Sequence, residues 1–90
     1  LGKLGAAAPA QRQGFHAWDE AVMADGALSR KHKELVAVAV ALAIRCSYCI
    51  DIHANDARKE GASEAELAEA AFVAAATKSS GAVIHAARFV

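Results

Sequence analysis

The 90-residue chain predicts an all-α fold, and three observations carry that prediction. Hydrophobic residues make up 56% of the sequence and half of them are alanine, the best helix former and small enough to let helices approach closely. Proline occurs once, at Pro9. No alternating run of β-branched residues bounded by turn signals marks a strand. The length allows one domain, spanning 1–90. A domain of this size hides only a modest core. The apolar content exceeds that need, so the expectation is a helical bundle of four to five short helices stabilised as a homo-oligomer.

After a short start, LGKLGAAAP, residues 10–24 read as a helix behind Pro9, with Phe15, Trp18 and Val22 at helical spacing and Gly26 as its stop. Ser29 is an N-cap for a second helix over 30–45. That helix opens on RKHKE and continues as LVAVAVALAI, apolar on every side and therefore expected to be buried on every side. Residues 45–48 form a corner into a third helix that ends at Gly61. Ser63 with Glu66 fits a capping box, which starts a fourth helix at Glu64 that runs to Thr77. KSSG, residues 78–81, breaks it, and a fifth helix runs from Ala82 to the end.

Ten basic and ten acidic residues cancel without forming blocks, so nothing resembles the basic stripe of a nucleic-acid binder. The run over 35–44 is far shorter than the roughly 20 residues of a membrane span. No signal peptide is visible, and a start at Leu1 without Met leaves room for an upstream segment. The reading is a protein of the cytoplasm that engages neither nucleic acid nor membrane and needs no cofactor.

The chemistry concentrates in RCSYCIDIH, residues 45–53, which holds both cysteines. Two cysteines three apart are no disulfide framework; in a reducing compartment the spacing suggests redox or metal chemistry. On a helix Cys46, Cys49 and His53 share one face. The cysteines fall in the first turn, where unpaired N–H groups and a nearby imidazolium both raise the thiolate fraction. The helix dipole favours Cys46 as the attacking thiol, whereas nearness to His53 favours Cys49. Glu34 lies twelve residues before Cys46, about 16 Å along an antiparallel hairpin, so spacing alone does not bring its carboxylate to the thiols.

The pattern Glu-x11-Cys-x2-Cys-x3-His, with the flanking GALSRKHKELVAVAVALAIRCSYCIDIH, resembles the alkylhydroperoxidase AhpD family within the carboxymuconolactone decarboxylase-like superfamily. The resemblance implies an all-α protomer that assembles as a homotrimer or homohexamer. It implies a thiol-dependent peroxidase or disulfide oxidoreductase whose substrate is a hydroperoxide or a partner disulfide, reset by an external dithiol such as a lipoyl group. Cys49 is then the attacking thiol, Cys46 resolves it into a disulfide, and His53 and Glu34 form the proton relay. Tyr48 departs from the pattern, since some members carry a second relay histidine there, and a phenol is a poor proton carrier near neutral pH. Lactone decarboxylases of the superfamily lack the cysteine pair, which disfavours their reaction.

The competing reading is a non-catalytic zinc-binding or scaffold protein of the same fold. Cys46, Cys49 and His53 offer three ligands and Glu34 or His85 a fourth, but structural zinc sites draw ligand pairs from two separate segments. His16 and His32 read as surface side chains, His85 as a core or interface histidine, and Phe15, Trp18 and Phe72 as core, with room for one of them to line a pocket over the thiols. Asp51 and Asp56 are expected on the side of the cysteine helix away from the site.

Overall fold

The computed structural model describes residues 2–90, which form five helices and no strand among them: α1 (Gly2–Ala7), α2 (Pro9–Met23), α3 (Arg30–Ile44), α4 (Ser47–Lys59) and α5 (Glu64–Ala86). The local signals place most boundaries. Pro9 opens α2, where a missing N–H costs nothing. Ser29 caps α3 by accepting from the His32 amide at 3.2 Å. Ser63 and Glu66 exchange both hydrogen bonds of a capping box at the start of α5.

Two joints fix the course of the chain around the cysteines. Arg45 takes the left-handed conformation (φ 58°), and the Cys46 amide reaches back to the Ala41 carbonyl at 3.0 Å, closing α3 within one residue of the start of α4. At the far end of α4, Gly61 sits at φ 90°, a conformation that glycine adopts without strain, and the Ala62 amide bonds the Ala57 carbonyl.

Two expectations about the elements are corrected. The opening segment, read only as a short start before the first helix, is itself a helix, α1. KSSG does not break α5, which runs unbroken for 23 residues. One glycine and two serines only lower helix propensity, by about 1 kcal/mol for glycine, and packing overrides that deficit. Lys78, within the expected break, donates from Nζ to the Ala43 carbonyl at 2.9 Å and so ties α5 to the last turn of α3.

The core lies where α3 meets α4 and α5, and it consists of Val38, Ala41, Ala57 and Ala74, joined by Met23 from α2. Alanine at three of these positions brings the backbones close. Lys31 of α3 pairs with Glu66 of α5 at 2.9 Å, and this pair and the Ser63 amide hold the Glu66 carboxyl below its usual range.

Outside that core the chain is open. Its radius of gyration is 16.2 Å, against about 12 Å for a compact 90-residue domain. Phe15, Trp18 and Phe72, expected in the core, are exposed, Phe72 to 76%. The run over 35–44 is not buried all round either: Val38 and Ala41 are covered, while Val36, Val40 and Ile44 stay at least half exposed. Three helices cannot surround a fourth. By length and composition alone α5 would suffice to cross a membrane, although Glu69 and Lys78 interrupt it.

Candidate functional site

The site is built on the hairpin of α3 and α4. Cys46 is the N-cap of α4, and its Sγ accepts from the Cys49 amide at 3.2 Å. The two cysteines are joined as a disulfide across a Cα–Cα distance of 5.2 Å. Both sulfurs therefore sit at the positive end of the α4 dipole, which favours a thiolate once the bond is reduced.

His53 follows one turn after Cys49, on the same face of α4. Its Nδ1 lies 2.7 Å from Oε1 of Glu34, whose side chain is only 2% exposed. A buried carboxylate is costly without a partner, and His53 is that partner. With Nδ1 committed to the carboxylate, Nε2 is the ring atom left to meet a reacting group.

The arithmetic of the hairpin explains why Glu34 meets the histidine rather than the sulfurs. Glu34 lies about 16 Å below the Arg45 corner along α3, and His53 about 12 Å below it along α4. Two long side chains close the difference, and no sharp crossing is needed. Of the four residues singled out by the sequence motif, the structure thus forms two pairs, Cys46–Cys49 and Glu34–His53, with Cys49 and His53 lining the same cavities.

Asp56 corrects the sequence reading. It was expected on the far side of α4, yet its carboxylate groups with Glu34 and His53, with ligand atoms of all three within 4.8 Å of one another. Helical periodicity carried the signal: Asp56 is three residues after His53 and seven after Cys49, both same-face spacings. Asp51 is exposed, as expected. His16 and His32 are exposed on α2 and α3, and His85 is exposed in the last turn of α5, outside the cluster. In this state the sulfurs are bonded to each other, so the donors that converge are Glu34, His53 and Asp56 rather than the cysteine-based set.

Two cavities open beside the disulfide, and Cys49 and His53 line both of them. The larger, about 800 Å³, lies between α2 and α4, with Arg12, Phe15, His16 and Asp19 on one wall and Tyr48 on the other. The smaller, about 350 Å³, is apolar and is walled by Val22, Leu28, Val36, Val40 and Ile44. Cys46 lines neither.

The family model of the carboxymuconolactone decarboxylase family matches residues 9–90. The chain is 41% identical over 86 residues to an uncharacterised protein of the cox locus of Paracoccus denitrificans, covering 96% of this chain and 78% of that one. It superposes on a crystal structure from Methanobacterium thermoautotrophicum with a TM-score of 0.84 at 39% identity, over 92% of this chain and 94% of that one. A family protein from Thermotoga maritima, described as a candidate for the antioxidative response, gives a TM-score of 0.71 at 33% identity, over 87% and 80% of the two chains.

Proposed function

The chain belongs to the carboxymuconolactone decarboxylase family, and on that premise we propose that it is a thiol-dependent oxidoreductase of the alkylhydroperoxidase type. The observation that carries the reading is the Glu34–His53 pair beside a Cys-x-x-Cys disulfide at a helix N-terminus. The antioxidative description of the Thermotoga maritima protein agrees with it.

Cys49 is the attacking thiol. It faces both cavities whereas Cys46 faces neither, so access favours it over the dipole argument for Cys46. His53 takes the Cys49 proton, held in position by the Glu34 carboxylate. The thiolate attacks the terminal oxygen of a hydroperoxide; an S–O bond forms, the O–O bond breaks, and the departing alkoxide takes the proton from the imidazolium. The Cys46 thiol then attacks the sulfenic sulfur, water leaves, and the disulfide closes. An external dithiol, such as a lipoyl group, returns two electrons and two protons by thiol–disulfide exchange. The same exchange run on a partner disulfide makes the protein a disulfide oxidoreductase. The functional unit is a homotrimer or homohexamer in the cytoplasm, in which neighbouring copies cover apolar faces outside the cleft beside Cys49, such as that of Phe72 and Val73 on α5.

Mixing reduced protein with hydrogen peroxide, an organic hydroperoxide and oxidised lipoamide in a stopped-flow instrument tests the reading. Oxidation of one dithiol per chain by at least one of these is the expected result; inertness to all three overturns it. The convergence of Glu34, His53 and Asp56 favours one second reading, a non-catalytic metal-binding protein, which a stoichiometric metal content in the purified protein would support.

A further inference from the structure

Resting on the proposed peroxidase reading, we propose that the preferred substrate is an amphiphilic carboxylic acid, a fatty-acid hydroperoxide, whose carboxylate is held by Arg12 and whose alkyl chain lies along α3. The two cavities are successive stretches of one cleft that follows α2. The first is walled by α2 residues between Pro9 and Asp19, the second by Val22 and Met23. Cys49 and His53 belong to both and therefore sit where they meet. The cleft carries charged and polar side chains at one end and is apolar at the other, with the reacting sulfur at the junction.

Arg12 is the cation at the polar end. It forms no ion pair among the described residues. Its stem is seated over Gly5 of α1, which is buried beneath it; a Cβ at position 5 would collide with Arg12 Cδ. The absent side chain at Gly5 gives the stem a berth and leaves the guanidinium to face an anion. A guanidinium suits a carboxylate, which it binds in two parallel hydrogen bonds.

The other charges along the cleft set the direction of binding. Asp19 lies on the same wall two turns after Arg12, about 10 Å along the axis, and repels a carboxylate placed there. His16 is engaged with Glu20 at 3.5 Å. Lys33 lines the apolar end, but its Nζ is bound by the Val22 and Ala24 carbonyls. Arg12 is thus the cation of the cleft left for an acid headgroup. At the other end Val36, Val40 and Ile44, each at least half exposed, form an apolar strip flanked by Val22 and Leu28 and suited to an alkyl tail.

The chemistry is that of the peroxidase cycle: the hydroperoxy acid loses its terminal oxygen to Cys49 and leaves as the hydroxy acid. The first test needs no turnover. Calorimetric titration of the oxidised protein with laurate and with methyl laurate should show tighter binding of the acid, by about tenfold. Arg12→Gln should erase that preference and Arg12→Lys restore part of it, with methyl laurate unaffected. Equal binding of acid and ester by the wild type, or a preference that survives Arg12→Gln, overturns the assignment. In the second test, kcat/KM is measured for a fatty-acid hydroperoxide, its methyl ester and cumene hydroperoxide. Arg12→Gln should lower only the first, by about tenfold. A wild type inert to all three hydroperoxides defeats the peroxidase reading, whereas turnover of cumene hydroperoxide with no acid preference defeats the substrate assignment alone.

Discussion

The α3–α4 hairpin and the α2 helix differ in how completely one chain satisfies them. The hairpin buries Glu34, Val38, Ala41 and Ala57, closes both of its ends with backbone bonds, and pairs its buried carboxylate with His53. Along α2 every residue except Met23 is exposed, including Phe15 and Trp18, and Lys33 ties its last turn to α3. The same contrast recurs within α3, where Val38 and Ala41 are covered and Val36, Val40 and Ile44 are not. Patterning thus prepares two kinds of apolar face. One is satisfied inside the chain and holds the reacting groups rigid. The other is left for a ligand or for another copy of the chain.

Changes in the hairpin should cost the most. Cys49→Ser should abolish hydroperoxide reduction, while Cys46→Ser should allow one attack and stall at the sulfenic acid, trapped by a thiol reagent. An exchange of these phenotypes would reverse the roles of the two thiols, and turnover by the double variant would remove the redox function. His53→Ala should lower the rate near neutral pH by about 10² to 10⁴, with the deficit shrinking as pH rises past the thiol's own pKa. Glu34→Gln should follow the same profile more weakly.

Packing changes come next and separate the two faces of α3 directly. Val38→Ala should cost about 2 kcal/mol in denaturant unfolding, since it empties covered space. Val40→Ala should cost less in the chain itself but weaken laurate binding, read by calorimetric titration. A stable folded monomer that keeps its exposed apolar faces in water would break the comparison.

The smallest effects belong to the α5 start. Ser63→Ala should cost about 1 kcal/mol through the lost cap. The Glu66 carboxyl is held below its usual range by Lys31 and the Ser63 amide. Its folded value is lower than its unfolded one, so the contribution is present above the unfolded pKa and fades as pH falls through the folded value. Glu66→Gln should therefore flatten that acid limb of a stability–pH curve slightly.

Sequence alone determined the parts governed by local chemistry. Helical class, the caps at Ser29 and Ser63, the stop at Gly61 and the shared face of Cys49 and His53 follow from side chains within a turn or two of each other. Asp56 belonged to this legible set too, since its spacing alone puts it on the face of His53. Only the tertiary structure decided that Glu34 meets His53 rather than a thiol, because that contact depends on how far two helices run back from the Arg45 corner. It also decided that α5 continues through KSSG, where contact with α3 outweighs weak propensity. Which aromatic residues lie inside was likewise beyond periodicity, which marks an apolar face without saying whether the same chain has anything to put against it.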